Sequence, residues 1–139
     1  MSAVNHPPHY TAHPSGIEAV EVCEHLSFNM GNALKYLWRA GKKGDAVEDL
    51  QKAEWYLERE AGRLRANGRE EFALTRRWIP KAAKAAQYDR GVLGDVIRAL
   101  LAFYDTDISR ERAIEDALAR VQNAVVEAAT KETAHEEDR

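Results

Sequence analysis

The stretch from residue 46 to 65, AVEDLQKAEWYLEREAGRLR, places Leu50, Ala53, Leu57, Ala61 and Leu64 at intervals of three and four. At 3.6 residues per turn these positions share one stripe of an α-helix, whereas a strand would scatter them over both faces. Asp45 precedes the run as an N-cap acceptor that also suits the positive end of the helix dipole, and Asn67-Gly68 closes it. So long a helix with one apolar side cannot stand alone. It demands helical partners, and the rest of the chain must supply them.

The flanking sequence does so. Ser15-Gly16-Ile17-Glu18 fits a capping box, which predicts a helix from about residue 16 to 26 or 27 with Ala19, Val22, Cys23 and Leu26 inward. A second helix is predicted over 29–39, stopping at Ala40-Gly41-Lys42-Lys43-Gly44, where the glycines permit a reversal into a hairpin. Further on, Phe72, Leu74, Trp78 and Ile79 suggest a helix broken at Pro80, followed by a basic, Ala-rich stretch over 81–87. Helices are then predicted over 91–103, opened by Asp89, and over 109–130, with a charged, frayed tail at 135–139. The expected fold is all-α: a helical hairpin core, an extended N-terminal strap and additional C-terminal helices. Residues 1–66 form its functional unit, and residues 67–139 are a helical extension packed on it.

Composition narrows the function. With 139 residues and a net charge of -3 from interleaved acids and bases, the chain is read as one soluble domain with no non-specific nucleic-acid binding. The single cysteine, Cys23, excludes an intramolecular disulfide and a Cys-rich zinc site. No apolar run is long enough to span a membrane and no signal-peptide pattern opens the chain, so a cytoplasmic protein is expected.

Chemistry concentrates before residue 60. In VNHPPHY, residues 4–10, Pro7 and Pro8 impose extended geometry and make a semi-rigid strap that carries Asn5, His6, His9 and Tyr10. In the predicted 29–39 helix, Asn32, Lys35, Tyr36 and Arg39 fall on one side, opposite Met30, Ala33, Leu34, Leu37 and Trp38. Lys42 and Lys43 follow in the turn, which puts four cations within nine residues, a composition suited to phosphate as well as to a solvated face. Trp55 lies opposite the apolar stripe of its helix beside Lys52 and Arg59, and so calls for a second layer, another subunit or a nucleobase. Asp49 sits among cations, as a surface ion pair or a general base.

Glu18, Glu21, Glu24 and His25, even with His6 and His9, have no metal-ligand spacing such as HExxH, and no dedicated metal site is expected. P-loop, GxGxxG and GxSxG motifs are absent.

Together, VNHPPHY, the GIE at 16–18, NALKYLWR at 32–39, the basic glycine turn and EDLQKAEWYL at 48–57 resemble a small domain family widespread in bacteriophages. That family includes a T-odd coliphage deoxynucleoside monophosphate kinase that lacks a P-loop. The resemblance covers residues 4 to about 60. It implies a phage protein of the infected host's cytoplasm that binds a nucleotide or deoxynucleotide and acts as a nucleotide kinase. Among the motif residues, Arg39, Lys35 and Lys42 or Lys43 would hold phosphate, with Lys52 and Tyr36 beside them. Tyr10 or Trp55 would stack on the base, Asn5 or Asn32 would read its polar edge with His6 nearby, and His9 or Asp49 would transfer a proton. No cofactor is required on this reading. The alternatives are a MazG-like nucleotide pyrophosphohydrolase, for which Glu18, Glu21, Glu48 and Asp49 would have to hold magnesium, a non-catalytic sponge for a host signalling nucleotide, and a homo-oligomeric interaction module.

Overall fold

A computed structural model describes residues 13–42, 44–67 and 71–137. Among them are six helices and no strand: α1 (Ala19–Cys23), α2 (Phe28–Arg39), α3 (Ala46–Ala66), α4 (Trp78–Gln87), α5 (Val92–Asp105) and α6 (Arg110–Glu137). The all-α expectation holds. Helices α2 and α3 form the hairpin, α6 packs along α3 and against α5, and α1 and α4 close the remaining sides. The C-terminal helices therefore share the core of the hairpin.

The predicted stripe of α3 is its buried face: Leu50, Ala53, Leu57, Ala61 and Leu64 are all interior. On α2, Met30, Ala33, Leu34, Leu37 and Trp38 are buried, while Asn32, Lys35, Tyr36 and Arg39 are only partly so. Asp45 caps α3 by accepting from Val47 N and Glu48 N. Gly41 (φ 81°) and Gly44 (φ 71°) take the left-handed conformations that the tight reversal before α3 requires.

Several local expectations fail. The first helix spans only Ala19–Cys23 rather than about 16 to 26 or 27, and is capped by a reciprocal pair between Glu18 and Glu21. Ser15 cannot serve as that cap: its hydroxyl lies 2.7 Å from His13 Nδ1 and accepts from Ile17 N, and Gly16 (φ 78°) turns the chain after it. Pro80 does not break a helix. It sits in the first turn of α4, where its missing N–H would have no intrahelical acceptor. The last helix runs on to Glu137, well past residue 130.

The helix expected to include Phe72 and Leu74 begins only at Trp78, and the segment before α4 is held by tertiary contacts instead. Ser27 N donates to Phe72 O at 2.8 Å and Leu74 N to His25 O at 2.7 Å, so the backbone runs beside the α1–α2 link. Phe72 is fully buried, edge-on to Trp78 and to Phe103. Asp89 opens α5, accepting from Gly91 N and Gly94 N. A Cβ on Gly94 would lie 2.2 Å from Asp89 O, a backbone atom that cannot step aside alone. Gly94→Ala is therefore expected to destabilise the fold by about 2 kcal/mol or more, read as a lowered urea midpoint at unchanged slope.

Candidate functional site

The polar side of α2 does not face open solvent; it meets the flank of α3. The hairpin is antiparallel, so positions descending α2 meet positions ascending α3. At the turn end Arg39 Nε stands 3.5 Å from Asp49 Oδ2. One turn along, the Tyr36 ring stacks nearly parallel on Tyr56 (centroids 6.0 Å, 12° between planes). Beyond it, Phe28 meets Tyr56 edge-on at 6.1 Å. Two ammoniums lie near the Tyr36 ring, Lys35 at 4.7 Å and Lys52 at 5.3 Å from its centroid. Trp55 packs edge-on to Tyr56 at 5.0 Å, with the Arg59 guanidinium 5.4 Å from its ring.

The result is a seam with ion-pair chemistry at one end and aromatic surface at the other. Its aromatic end is open: Phe28 is 76% and Trp55 54% exposed. A groove of about 450 Å³, lined by Gln51, Glu54, Trp55, Glu58 and Val125, runs from Trp55 toward α6. A further depression of about 480 Å³ on α6, among Val125, Val126, Ala129, Thr130, Thr133 and Ala134, offers no charged group and no chemistry.

Charge along the seam is uneven. Lys52 is ion-paired to Glu48 at 2.9 Å, and that contact holds its ammonium above the ordinary lysine range. Lys42 is exposed, yet partial desolvation lowers its pKa against the opposing charge of Asp89. Asp49 is only 2% exposed. Burial raises its carboxyl above the ordinary range, Arg39 and Lys52 oppose the shift, and Glu48 and Asp45 add to it. Neither Asp49 Oδ2 nor Arg39 Nε has a hydrogen-bond partner, since the geometry between them is that of an ion pair without an aligned N–H.

A second polar cluster adjoins the turn end. His13 is buried against Trp38 (ring centroids 5.3 Å), and Ser15 N donates to its Nδ1 at 3.1 Å. With Nδ1 accepting, Nε2 donates to Asp89 Oδ2 at 2.9 Å. Burial pushes Asp89 up, but hydrogen bonds from His13, Gly94 and Gly91 together outweigh it and hold the carboxyl below its usual range. This cluster fastens the beginning of the described chain to the N-terminus of α5.

Residues 4–58 match the family model DUF3310, a protein family of unknown function. The matched segment contains the seam from Phe28 to Trp55 and Tyr56 and ends one residue short of Arg59. Neither curated proteins nor solved structures gave a match.

Of the residues singled out in the sequence, Lys35, Tyr36, Arg39, Asp49, Lys52 and Trp55 converge on the seam, with Lys42 in the turn beside it. Asn32 shares the stripe, but its side-chain amide donates to Phe28 O at 2.8 Å within its own helix. Asn5, His6, His9, Tyr10 and Lys43 lie outside the described residues. Phe28 is an addition, and Tyr56, a residue of the EDLQKAEWYL motif that had been given no role, joins it in the seam. Both were accessible by extending the stripes one turn, from Asn32 back to Phe28 and from Asp49 and Lys52 on to Tyr56. His13 and Asp89 had no such signal, because 76 residues separate them.

The acidic residues do not converge. Glu18 and Glu21 are tied up in the α1 cap, with Glu21 also bonded to Lys81 at 2.7 Å, while Glu48 and Asp49 face Lys52 and Arg39. Among the described residues, no three His, Cys, Asp or Glu side chains are grouped to hold a metal ion. No described helix is long and apolar enough to cross a membrane.

Proposed function

We propose that the α2–α3 seam binds a nucleotide and that the protein acts as a (deoxy)nucleoside monophosphate kinase without a P-loop. The observation that carries this reading is the juxtaposition at Tyr36 and Tyr56: cations Lys35 and Lys52 stand directly beside an aromatic surface that ends in exposed Trp55. A nucleotide combines the two complements, an anionic phosphate and a flat base. Base–aromatic stacking contributes about 1–3 kcal/mol per base, and ammonium contacts add charge-assisted bonds. The kinase step is supported by the bacteriophage resemblance of the same segment and by the nature of phosphoryl transfer, in which positioning and charge compensation are most of the task.

The pyrophosphohydrolase alternative needs acidic side chains converging on magnesium. Its candidates Glu18, Glu21, Glu48 and Asp49 are divided between α1 and α3, and three of them face cations. That arrangement favours the kinase reading.

The test is a melting screen with each deoxynucleoside monophosphate, alone and with ATP and magnesium, followed by separation of products. A ligand at about a hundred times its Kd raises stability by about 2.7 kcal/mol, a readily measured Tm increase. No shift with any nucleotide at millimolar concentration would overturn the binding proposal, and a shift without product would overturn the kinase step. Trp55→Ala is expected to weaken nucleotide binding about tenfold while leaving the ligand-free Tm nearly unchanged, because its ring is largely outside the core.

A further inference from the structure

Asp49 stands out from every other carboxylate of the seam. It is 2% exposed, its Oδ2 accepts no hydrogen bond, and the guanidinium nearest to it is 3.5 Å away and misaligned. Buried polar atoms almost always have partners, and one without a partner is costly unless something that binds there supplies it. The contrast within this chain is direct. Glu60, buried as deeply, accepts from Ser27, Asn29 and Arg63.

The unsatisfied Oδ2 also changes what Arg39 can do. A phosphate placed at the Arg39 end would sit against a buried negative charge. At the Tyr36 end, by contrast, Lys35 makes no ion pair among the described residues and Lys52 has only the exposed Glu48. Building on the nucleotide-binding reading, we propose that the ligand lies in a fixed direction along the seam. Its phosphate is at Lys35 and Lys52, and an uncharged donor of the same molecule, a sugar hydroxyl or an exocyclic base amine, donates to Asp49 Oδ2. Access needs only side-chain motion, since the side chains of the two cations acting on Asp49, Arg39 and Lys52, are 29% and 44% exposed and can change rotamer.

The orientation separates two losses. Lys35→Ala is expected to weaken a nucleoside monophosphate about tenfold and leave the unphosphorylated nucleoside unchanged. Asp49→Asn is expected to weaken both by about tenfold, the usual effect of removing a hydrogen bond to a charged group. The same variant should raise the ligand-free Tm at neutral pH. A carboxyl whose folded pKa is raised costs stability above its unfolded pKa, and the neutral amide removes that cost.

The probes are dGMP and dAMP, their dideoxy counterparts, and their analogues lacking the exocyclic amine, with dissociation constants from calorimetry. Wild-type protein should lose about tenfold toward whichever analogue lacks the donor, and Asp49→Asn should bind that analogue and its parent equally. Loss with the dideoxy sugar identifies the hydroxyl; loss with the deaminated base identifies the amine. Equal binding of all analogues by the wild type overturns the orientation even if Asp49→Asn does not fold, as does undiminished binding by a folded Asp49→Asn. Failure of the wild type to bind any nucleotide or nucleoside overturns the nucleotide reading itself, a result distinct from both.

Discussion

Glu60→Ala is expected to cost about 3 kcal/mol or more, because it removes a fully buried acceptor and leaves the donors around it unsatisfied. Glu60 is fully buried on α3, and its two oxygens accept from Arg63 Nε at 2.6 Å and from Arg63 Nη2 at 2.9 Å. The Ser27 hydroxyl, which also caps α2, donates to Oε2, and the Asn29 amide approaches Oε1 at 3.5 Å. The loss spreads because Arg63 Nη2 also donates to Glu71 O at 2.8 Å, just before buried Phe72. One carboxylate thus ties the start of α2, the middle of α3 and the segment entering α4. Without it, the Ser27 and Asn29 donors are left buried and the anchor at Glu71 loosens. Urea denaturation should show the loss as a fall in midpoint. In a melt it corresponds to roughly 10 °C or more, taking a few degrees per kcal/mol for a domain of this size. Glu60→Gln, which keeps one acceptor, should lose clearly less.

Trp38→Ala should be comparably damaging, about 3–5 kcal/mol, for a different reason. Trp38 is fully buried in the core and forms the surface on which the His13 ring rests. Its removal opens a cavity and also removes the floor beneath the His13–Asp89 bond. Trp38→Phe is the informative comparison. The indole Nε1 has no hydrogen-bond partner, so only ring volume is lost with it, and the phenyl variant should retain most of the stability. Trp55→Ala is the opposite control, since the two tryptophans share the motif-bearing hairpin but occupy opposite environments. If denaturation midpoints ranked Trp55→Ala as the more damaging, the assignment of core and site faces would be wrong.

Stripes were legible in the sequence because helical geometry converts spacing into a face. The buried sides of α2 and α3, the separate polar side of α2 and the cap at Asp45 all follow from that rule. The start of the first helix was misread because Ser15 satisfies the local capping pattern, yet its hydroxyl is drawn to His13. Pro80 was misread because a proline early in a helix and one inside it look alike until the helix start is known. Phe72 and Leu74 were read into the following helix because they are apolar, but their order comes from backbone bonds to residues 25 and 27 and from burial of Phe72.

The candidate site divides in the same way. Residue types and spacing alone determined that Lys35, Tyr36 and Arg39 share one side of α2, and that Asp49, Lys52 and Tyr56 share one flank of α3. Only the tertiary structure decided that these two stripes face each other, that Tyr36 stacks on Tyr56, and that Trp55 stays exposed while Trp38 does not. Periodicity fixes direction around one helix axis, but the rotation of one helix against another is set by how the whole core packs. The missing hydrogen bond at Asp49 Oδ2 arises at that level. A carboxylate one turn from Asp45 is an ordinary surface residue in sequence, and it becomes a buried acceptor only when α2 brings Arg39 and its neighbours over it.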